Sequence, residues 1–181
     1  MRYLIFSFFF FSFIGHSQMI HCGYDFTSYL VLNIHEQGKK ENIKNLKITI
    51  VDNSGNTIVN LNNIYSWQNA NKPLRFTMNY KIDDKGSRLA EGEATQKERW
   101  YFPFAKDNYL LSVANTFPAE NFLVKIEDID GEENGGKYKT TTVQLYNFNM
   151  YVLCTNENQQ AAIKFGPKTT NRPIEVVLEK D

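Results

Sequence analysis

Three groups of side chains in this sequence are of types that do chemistry: an acid-rich stretch at 127–136, an aromatic stretch at 100–104, and two cysteines, Cys22 and Cys154. The acid-rich stretch, Glu127-Asp128-Ile129-Asp130-Gly131-Glu132-Glu133-Asn134-Gly135-Gly136, gathers hard oxygen donors of the kind that Ca²⁺ takes about six to eight at a time. It lacks the spaced ligands and closing bidentate Glu of an EF-hand, and Asn134-Gly135-Gly136 supplies the positive φ that a hairpin needs, so it reads first as a turn. If a cation is held there, Asp128, Asp130 and Glu132 are its side-chain ligands, completed by backbone carbonyls. No cofactor beyond that calcium option is implied.

The aromatic stretch Trp100-Tyr101-Phe102-Pro103-Phe104, with Tyr65 and Trp67 upstream, is the material of a platform on which sugar rings stack. The competing reading is strand core, because alternation sends Trp100, Phe102 and Phe104 to one face and Tyr101 to the other. Tyr65, Trp67 and Tyr101, with Tyr151, are the candidates for an exposed aromatic surface. Tyr146, Phe148, Met150 and Tyr151 form a second group of the same kind.

Catalysis has little to work with. The sequence has 3 histidines, of which His16 falls in the leader described below. A zinc site from His21, Cys22 and His35 can be drawn, but their spacing matches no known zinc pattern. There is no Gly-x-Ser-x-Gly elbow and no phosphate-cradling glycine loop that opens a helix. Carboxylates are plentiful, yet a glycosidase needs two held at set separation in a cleft, which spacing along a chain does not define.

The first residues read as an export signal. Arg2 is the positive region, residues 4–14 are apolar, and Gly15 to Gln18 are short and polar, with cleavage expected after Ser17. The apolar run is too short to span a bilayer. Cys22 follows Met19, Ile20 and His21, a poor lipoprotein context because His21 stands where a small residue is needed, so the expectation is a soluble exported protein. Residues 18–181 then form one domain, since no Pro/Gly/Ser-rich linker divides them and no segment repeats another.

With 20 Lys and Arg against 20 Asp and Glu the formal charge is +0, and losing Arg2 takes it to about −1 with no charge block anywhere. Neither nucleic acid nor an anionic membrane surface is implied as a partner. In an oxidising compartment Cys22 and Cys154 invite a disulfide, worth on the order of 4 kcal/mol in the chain-entropy model for so long a loop. Two buried thiols, or a reactive Cys22 beside His21, are the alternatives. No Asn is followed by x-Ser or x-Thr, which suits a bacterial exporter.

Apolar residues recur with period two in short runs punctuated by Gly, Asn, Asp and Pro, predicting an all-β domain with about ten short strands and little helix. Residues 46–52 and 57–61 are expected to form a hairpin through Asp52-Asn53-Ser54-Gly55-Asn56, and residues 122–129 and 137–146 a second one. Residues 83–97 read as a loop. An antiparallel two-sheet sandwich is favoured over a closed barrel.

The order of these signals resembles a known family. Val31 to Ile50 with Glu36-Gln37-Gly38-Lys39-Lys40-Glu41-Asn42-Ile43 between two strands, then Asp52-Asn53-Ser54-Gly55, and later Phe102-Pro103-Phe104 before Asp107-Asn108-Tyr109-Leu110-Leu111-Ser112-Val113, is similar to carboxypeptidase-regulatory-like domains. Residues 174–178 suit that family's last strand, while 62–99 has no counterpart. The resemblance implies a transthyretin-like, immunoglobulin-like sandwich in the periplasm, on the cell surface or in the medium. It further implies a non-catalytic binding or structural accessory to another envelope or secreted protein. A carbohydrate-binding module using exposed aromatics, a secreted hydrolase with a carboxylate pair, and a carrier with an apolar cavity of at least about 300 Å³ are the rival functions.

Overall fold

The computed structural model describes residues 26–66, 70–114, 117–146, 151–154 and 173–181. Within them the chain is all-β. The strands are β1 (Phe26–Glu36), β2 (Leu46–Val51), β3 (Thr77–Met78), β4 (Lys81–Ile82), β5 (Arg99–Trp100), β6 (Tyr109–Ala114), β7 (Leu123–Asp128), β8 (Thr141–Gln144), β9 (Tyr151–Cys154) and β10 (Ile174–Leu178). One sheet runs in the order β10-β1-β6-β3, with β9 also paired to β1; a second runs β2-β7-β8; β4 and β5 form a separate pair. The expected antiparallel pairing holds for the other strand pairs, but β1 and β10 run parallel, with Leu32 beside Ile174. The two larger sheets face each other as a sandwich. Among the described residues no helix is long and apolar enough to cross a membrane.

The composition of β1 and β2 explains why the two sheets are built differently. In β2, Leu46, Ile48 and Ile50 point into the core while Lys47 stands half-buried on the other side. Opposite it in β7, Val124 and Ile126 point inward. Glu127 lies outside, bound by Lys47 (2.9 Å) and Lys125 (2.8 Å). This sheet therefore has one face in the central core and another that carries Lys47, Lys125 and Glu127 at one end but also buries Thr49 and Val51. β1 instead carries Tyr29-Leu30-Val31-Leu32, apolar at every position. Leu30, Leu32 and Ile34 enter the central core, whereas Tyr29 and Val31 enter a second cluster with Phe102, Ala105 and Leu110. A strand that is apolar on both faces needs a cover on its outer side, and residues 79–108 supply it. Each aliphatic side chain so buried contributes about 1.5–3 kcal/mol.

Neighbouring segments tie the sheets together at their edges. Residues 74–76 lie along β2, with Ile50 N–H donating to the Leu74 carbonyl (3.1 Å) and Phe76 N–H to the Ile48 carbonyl (3.0 Å). At the next residue the same chain joins the other sheet as β3, pairing Thr77 with Leu110. At the opposite end, Tyr138 bridges to Lys180 beyond β10 before the chain enters the second sheet as β8. Such switching closes the corners of a sandwich.

The expected hairpins are both present, with one difference. β7 and β8 pair antiparallel from Leu123 with Gln144 to Ile126 with Thr141. After β2, Asp52 closes its turn by accepting the N–H groups of Ser54 and Asn56 on Oδ1 (both 2.8 Å), and Thr57 bridges Val51. The return segment then leaves β2, because Leu74 N–H donates to the Ile58 carbonyl (3.0 Å) and residues 74–76 occupy the remaining edge. Residues 83–97 form a loop, as expected. Its start is the same turn again: Asp83 Oδ1 accepts the N–H groups of Lys85 (2.9 Å) and Ser87 (2.7 Å). The shared Asp-x-x-Gly-x spacing of Asp52-Asn53-Ser54-Gly55-Asn56 and Asp83-Asp84-Lys85-Gly86-Ser87 is a signal that the sequence reading did not use.

Candidate functional site

The covering segment on the outer face of β1 is anchored by one buried amide. Asn79 Nδ2 donates to the carbonyls of Phe102 (2.8 Å) and Ala105 (2.9 Å), and its Oδ1 accepts the Phe102 N–H (3.3 Å). Phe102 is thereby laid flat on Tyr29, their rings 4.3 Å apart and 10° from parallel. The alternation expected across 100–104 ends here. Pro103 begins a single 3₁₀ turn, Pro103–Ala105, so Phe102 is 1% exposed while Phe104 is 40% exposed, and Ala105 takes the buried place instead.

Upstream of this anchor, β4 runs between two neighbours. Lys81 pairs with Trp100 of β5 on one side. On the other, Leu89 N–H donates to the Lys81 carbonyl (3.0 Å). The Lys81 ammonium bonds the Glu98 carboxylate and lies 5.9 Å from the centre of the Trp100 ring. Arg88 sits over Tyr80 at 4.6 Å, and Tyr80 stacks on Tyr101 at 4.9 Å. Burial, the neighbouring Tyr101 and only then the opposing Arg88 charge set the Tyr80 phenol, with the net direction upward.

These contacts enclose a cleft of about 500 Å³ between the 79–100 segment and the loop before β2. Trp100, Tyr80, Leu89 and Met78 give it apolar wall. Lys44, Lys81 and Arg88 line it together with Glu91, Glu93, Glu98 and Asp107. A second hollow, about 430 Å³, lies beside β3 and is lined by Arg75, Phe76, Tyr109 and Ile129 among others.

The sequence-predicted residues are dispersed rather than gathered. Tyr65 packs edge-on against Phe117 (5.5 Å) and Phe122 (6.2 Å) beside the central core. Tyr101 belongs to the cluster on the other side of β1. Trp67 lies outside the described residues, and Tyr151 is described only as backbone of β9. Asp128 uses both carboxylate oxygens to close its hairpin, accepting the N–H of Asp130 (3.2 Å) and of Tyr138 (3.0 Å). Glu132 is exposed. Among the described residues no three His, Cys, Asp or Glu side chains are grouped to hold a metal ion. Cys22 and His21 lie outside the described residues, while the backbone of Cys154 stands opposite Phe26, four positions along the chain from Cys22. The cleft was missed because it unites residues from 44 to 107, which no local pattern connects.

A second feature is the free edge of the β2-β7-β8 sheet. Leu145 N–H donates to the Phe122 carbonyl (3.2 Å), which fixes the parity of the ladder: Val124 with Val143 and Ile126 with Thr141 are bonded pairs, and Lys125 with Thr142 is a non-bonded pair. The N–H and C=O of Thr142 therefore point away from β7. No described strand pairs with that side of β8.

Comparison with known proteins adds no relative: no protein-family model, curated protein or solved structure matches the chain.

Proposed function

We propose that this chain is an exported, non-catalytic accessory module of the bacterial envelope that binds another envelope or secreted protein by adding a strand to β8. The observation that carries the reading is the outward-facing Thr142 backbone. Exposed edges are ordinarily guarded by Lys, Pro or bulges. Thr141-Thr142-Val143-Gln144 has none of the guarding residue types; it is β-branched and uncharged, the composition that accepts a partner strand. The Gln144 side chain folds back onto the carbonyls of Glu120, Phe122 and Leu145 (3.0–3.2 Å), which pins the end of the strand and keeps its edge straight. The resemblance to carboxypeptidase-regulatory-like domains supports a binding role over a catalytic one.

Thr142→Pro removes the outward N–H without touching the β7 ladder, since proline is tolerated at a strand edge whose N–H faces away. Capture from an envelope extract by the wild-type protein, lost in Thr142→Pro and in Thr142→Lys with unchanged melting temperatures, is the expected result. Equal capture by all three proteins would sink the strand-addition reading.

Export through the apolar leader also places Cys22 and Cys154 in an oxidising compartment, and a disulfide between them would fasten the chain's start beside β9. Intact mass before and after reduction, without alkylation, should differ by two hydrogens. An unchanged mass means free thiols.

A further inference from the structure

We infer that the cleft walled by Trp100, Tyr80 and Arg88 is a binding site for a neutral sugar unit of a glycan, stacked against Trp100. The inference stands on a different part of the molecule from the β8 edge and does not depend on it. At about 500 Å³ the cleft falls within the size of small-ligand sites. Part of the charge on its walls is engaged locally. Lys81 is joined to Glu98, Arg88 is seated on Tyr80, and Glu93 accepts the Ala90 N–H (3.0 Å). With three basic groups against four acidic ones the lining carries one net negative charge and does not select an anion. It does present strong donors and strong acceptors side by side, which is what a hydroxyl, donor and acceptor at once, requires.

Two details favour a pyranose over other neutral polar ligands. Trp100 is half-buried in the cleft wall, its backbone paired with Lys81 and the Lys81 ammonium 5.9 Å from the ring centre, and it offers an apolar surface of the kind that the C–H face of a sugar ring covers. One oxygen of Glu98, Oε2, is closed to solvent and has no hydrogen-bond partner, although its other oxygen is bound by Lys81. A buried carboxylate oxygen without a donor is costly. A small rotation of the carboxylate toward the cleft lets a ligand hydroxyl supply that donor. The wall is also pre-organised: Tyr80 is clamped between Arg88 and Tyr101, so little order has to be imposed on binding.

The test titrates the full chain, after removal of its leader, with neutral oligosaccharides (gluco-, xylo-, manno- and N-acetylglucosamine series) by calorimetry and affinity electrophoresis. At least one series should bind, with Trp100→Ala weakening it about tenfold or more, Trp100→Phe weakening it less, and Thr142→Lys leaving it unchanged. Glu98→Gln should weaken it while preserving Trp100-dependent binding. No binding to any series at about 10 mM by protein of wild-type melting temperature, a level weaker than a specific site of this kind, overturns the inference. So does binding that Trp100→Ala and Trp100→Phe both leave intact, or binding confined to anionic polysaccharides. Release of new reducing ends during the titration supports the site and overturns instead the non-catalytic role proposed above.

Discussion

Replacing Phe102 by Ala is expected to cost about 3–5 kcal/mol, the range for deleting a buried aromatic side chain, and to do so unevenly across the molecule. Phe102 is 1% exposed and stacks on Tyr29 at 4.3 Å, yet it belongs to the small outer cluster of Tyr29, Val31, Phe102, Ala105 and Leu110. The central core between the sheets does not include it. Its loss exposes the outer face of β1 and loosens the Asn79 clamp, whose three hydrogen bonds end on the 102–105 backbone. The cover should therefore open locally at a free energy below that of global unfolding. Amide exchange checks this: the amides of Tyr101, Ala105 and Asn108, bonded to carbonyls of the cover itself, should lose protection by several orders of magnitude more than the Ile50 amide. A denaturation loss below about 1 kcal/mol, or equal loss of protection in both sheets, would contradict the two-core description. Ile48→Ala, in the central core, is the contrasting variant, expected to lower protection everywhere together.

The division into two cores also shows what could be read from the residues and what could not. Alternation in Leu46-Lys47-Ile48-Thr49-Ile50 correctly puts Leu46, Ile48 and Ile50 on the core face, but Thr49, expected to meet water, is 2% exposed and bridged to Arg75. The unbroken apolar run Tyr29-Leu30-Val31-Leu32 carried the matching information about β1, namely that something must cover its second face, and the cover is Tyr101, Phe102 and Ala105, in a stretch read from its alternation as an ordinary strand. Period-two reasoning failed at Phe104 for an identifiable reason. Pro103 starts a 3₁₀ turn, and after a turn the parity of facing is reset. It failed again at 57–61, where local turn chemistry placed the hairpin properly but a segment 17 residues further on, at 74–76, occupied the edge of β2. Long-range competition of this kind is invisible to a window of a dozen residues. The cleft is the extreme case. Lys44, Met78, Arg88, Glu98 and Trp100 share no spacing, and only the Asn79 clamp and the β4-β5 pairing bring them together.

Gly135→Ala should destabilise the domain and flatten its pH dependence, because its methyl group would crowd the hydrogen bond that ties the long hairpin to Glu36 of β1. Tyr138 Oη donates to Glu36 Oε1 at 2.6 Å, and Lys39 (2.9 Å) and Lys180 (3.6 Å) also approach the Glu36 carboxylate. The Tyr138 hydrogen bond first, then that of Lys39, outweigh burial and bring the Glu36 carboxyl down from 4.5 to about 2. Burial first, then the bond to Glu36, push the Tyr138 phenol up from 10.0 to about 12. Glu36 binds its proton more weakly when folded, so its contribution is complete above pH 4.5 and is lost as the pH falls toward 2. Tyr138 holds its proton more tightly when folded, so its contribution is complete below pH 10 and is lost as the pH rises toward 12. Stability from this pair is thus a plateau with an acid limb and an alkaline limb. Tyr138→Phe should remove this pair's share of the alkaline limb, leaving what the upward-shifted Tyr80 and Tyr109 contribute, and leave a shallower acid limb that the lysines sustain.

A methyl group at Gly135 would stand 2.7 Å from Tyr138 Oη and 3.2 Å from Glu36 Oε1, on a backbone with φ +113°. The hydroxyl must move, and the conformation itself costs an L-residue about 1–3 kcal/mol. Gly131 in the same hairpin separates the two effects, since its φ is +73° and an added methyl there meets nothing within 4 Å. Gly131→Ala should lose about 1–2 kcal/mol with both limbs preserved, whereas Gly135→Ala should lose more and show limbs like those of Tyr138→Phe. Urea midpoints measured from pH 3 to pH 11 decide between them. If the two glycine variants give parallel profiles, the Glu36–Tyr138 contact is incidental and the hairpin is held by other contacts, such as the backbone bridge from Tyr138 to Lys180 after β10.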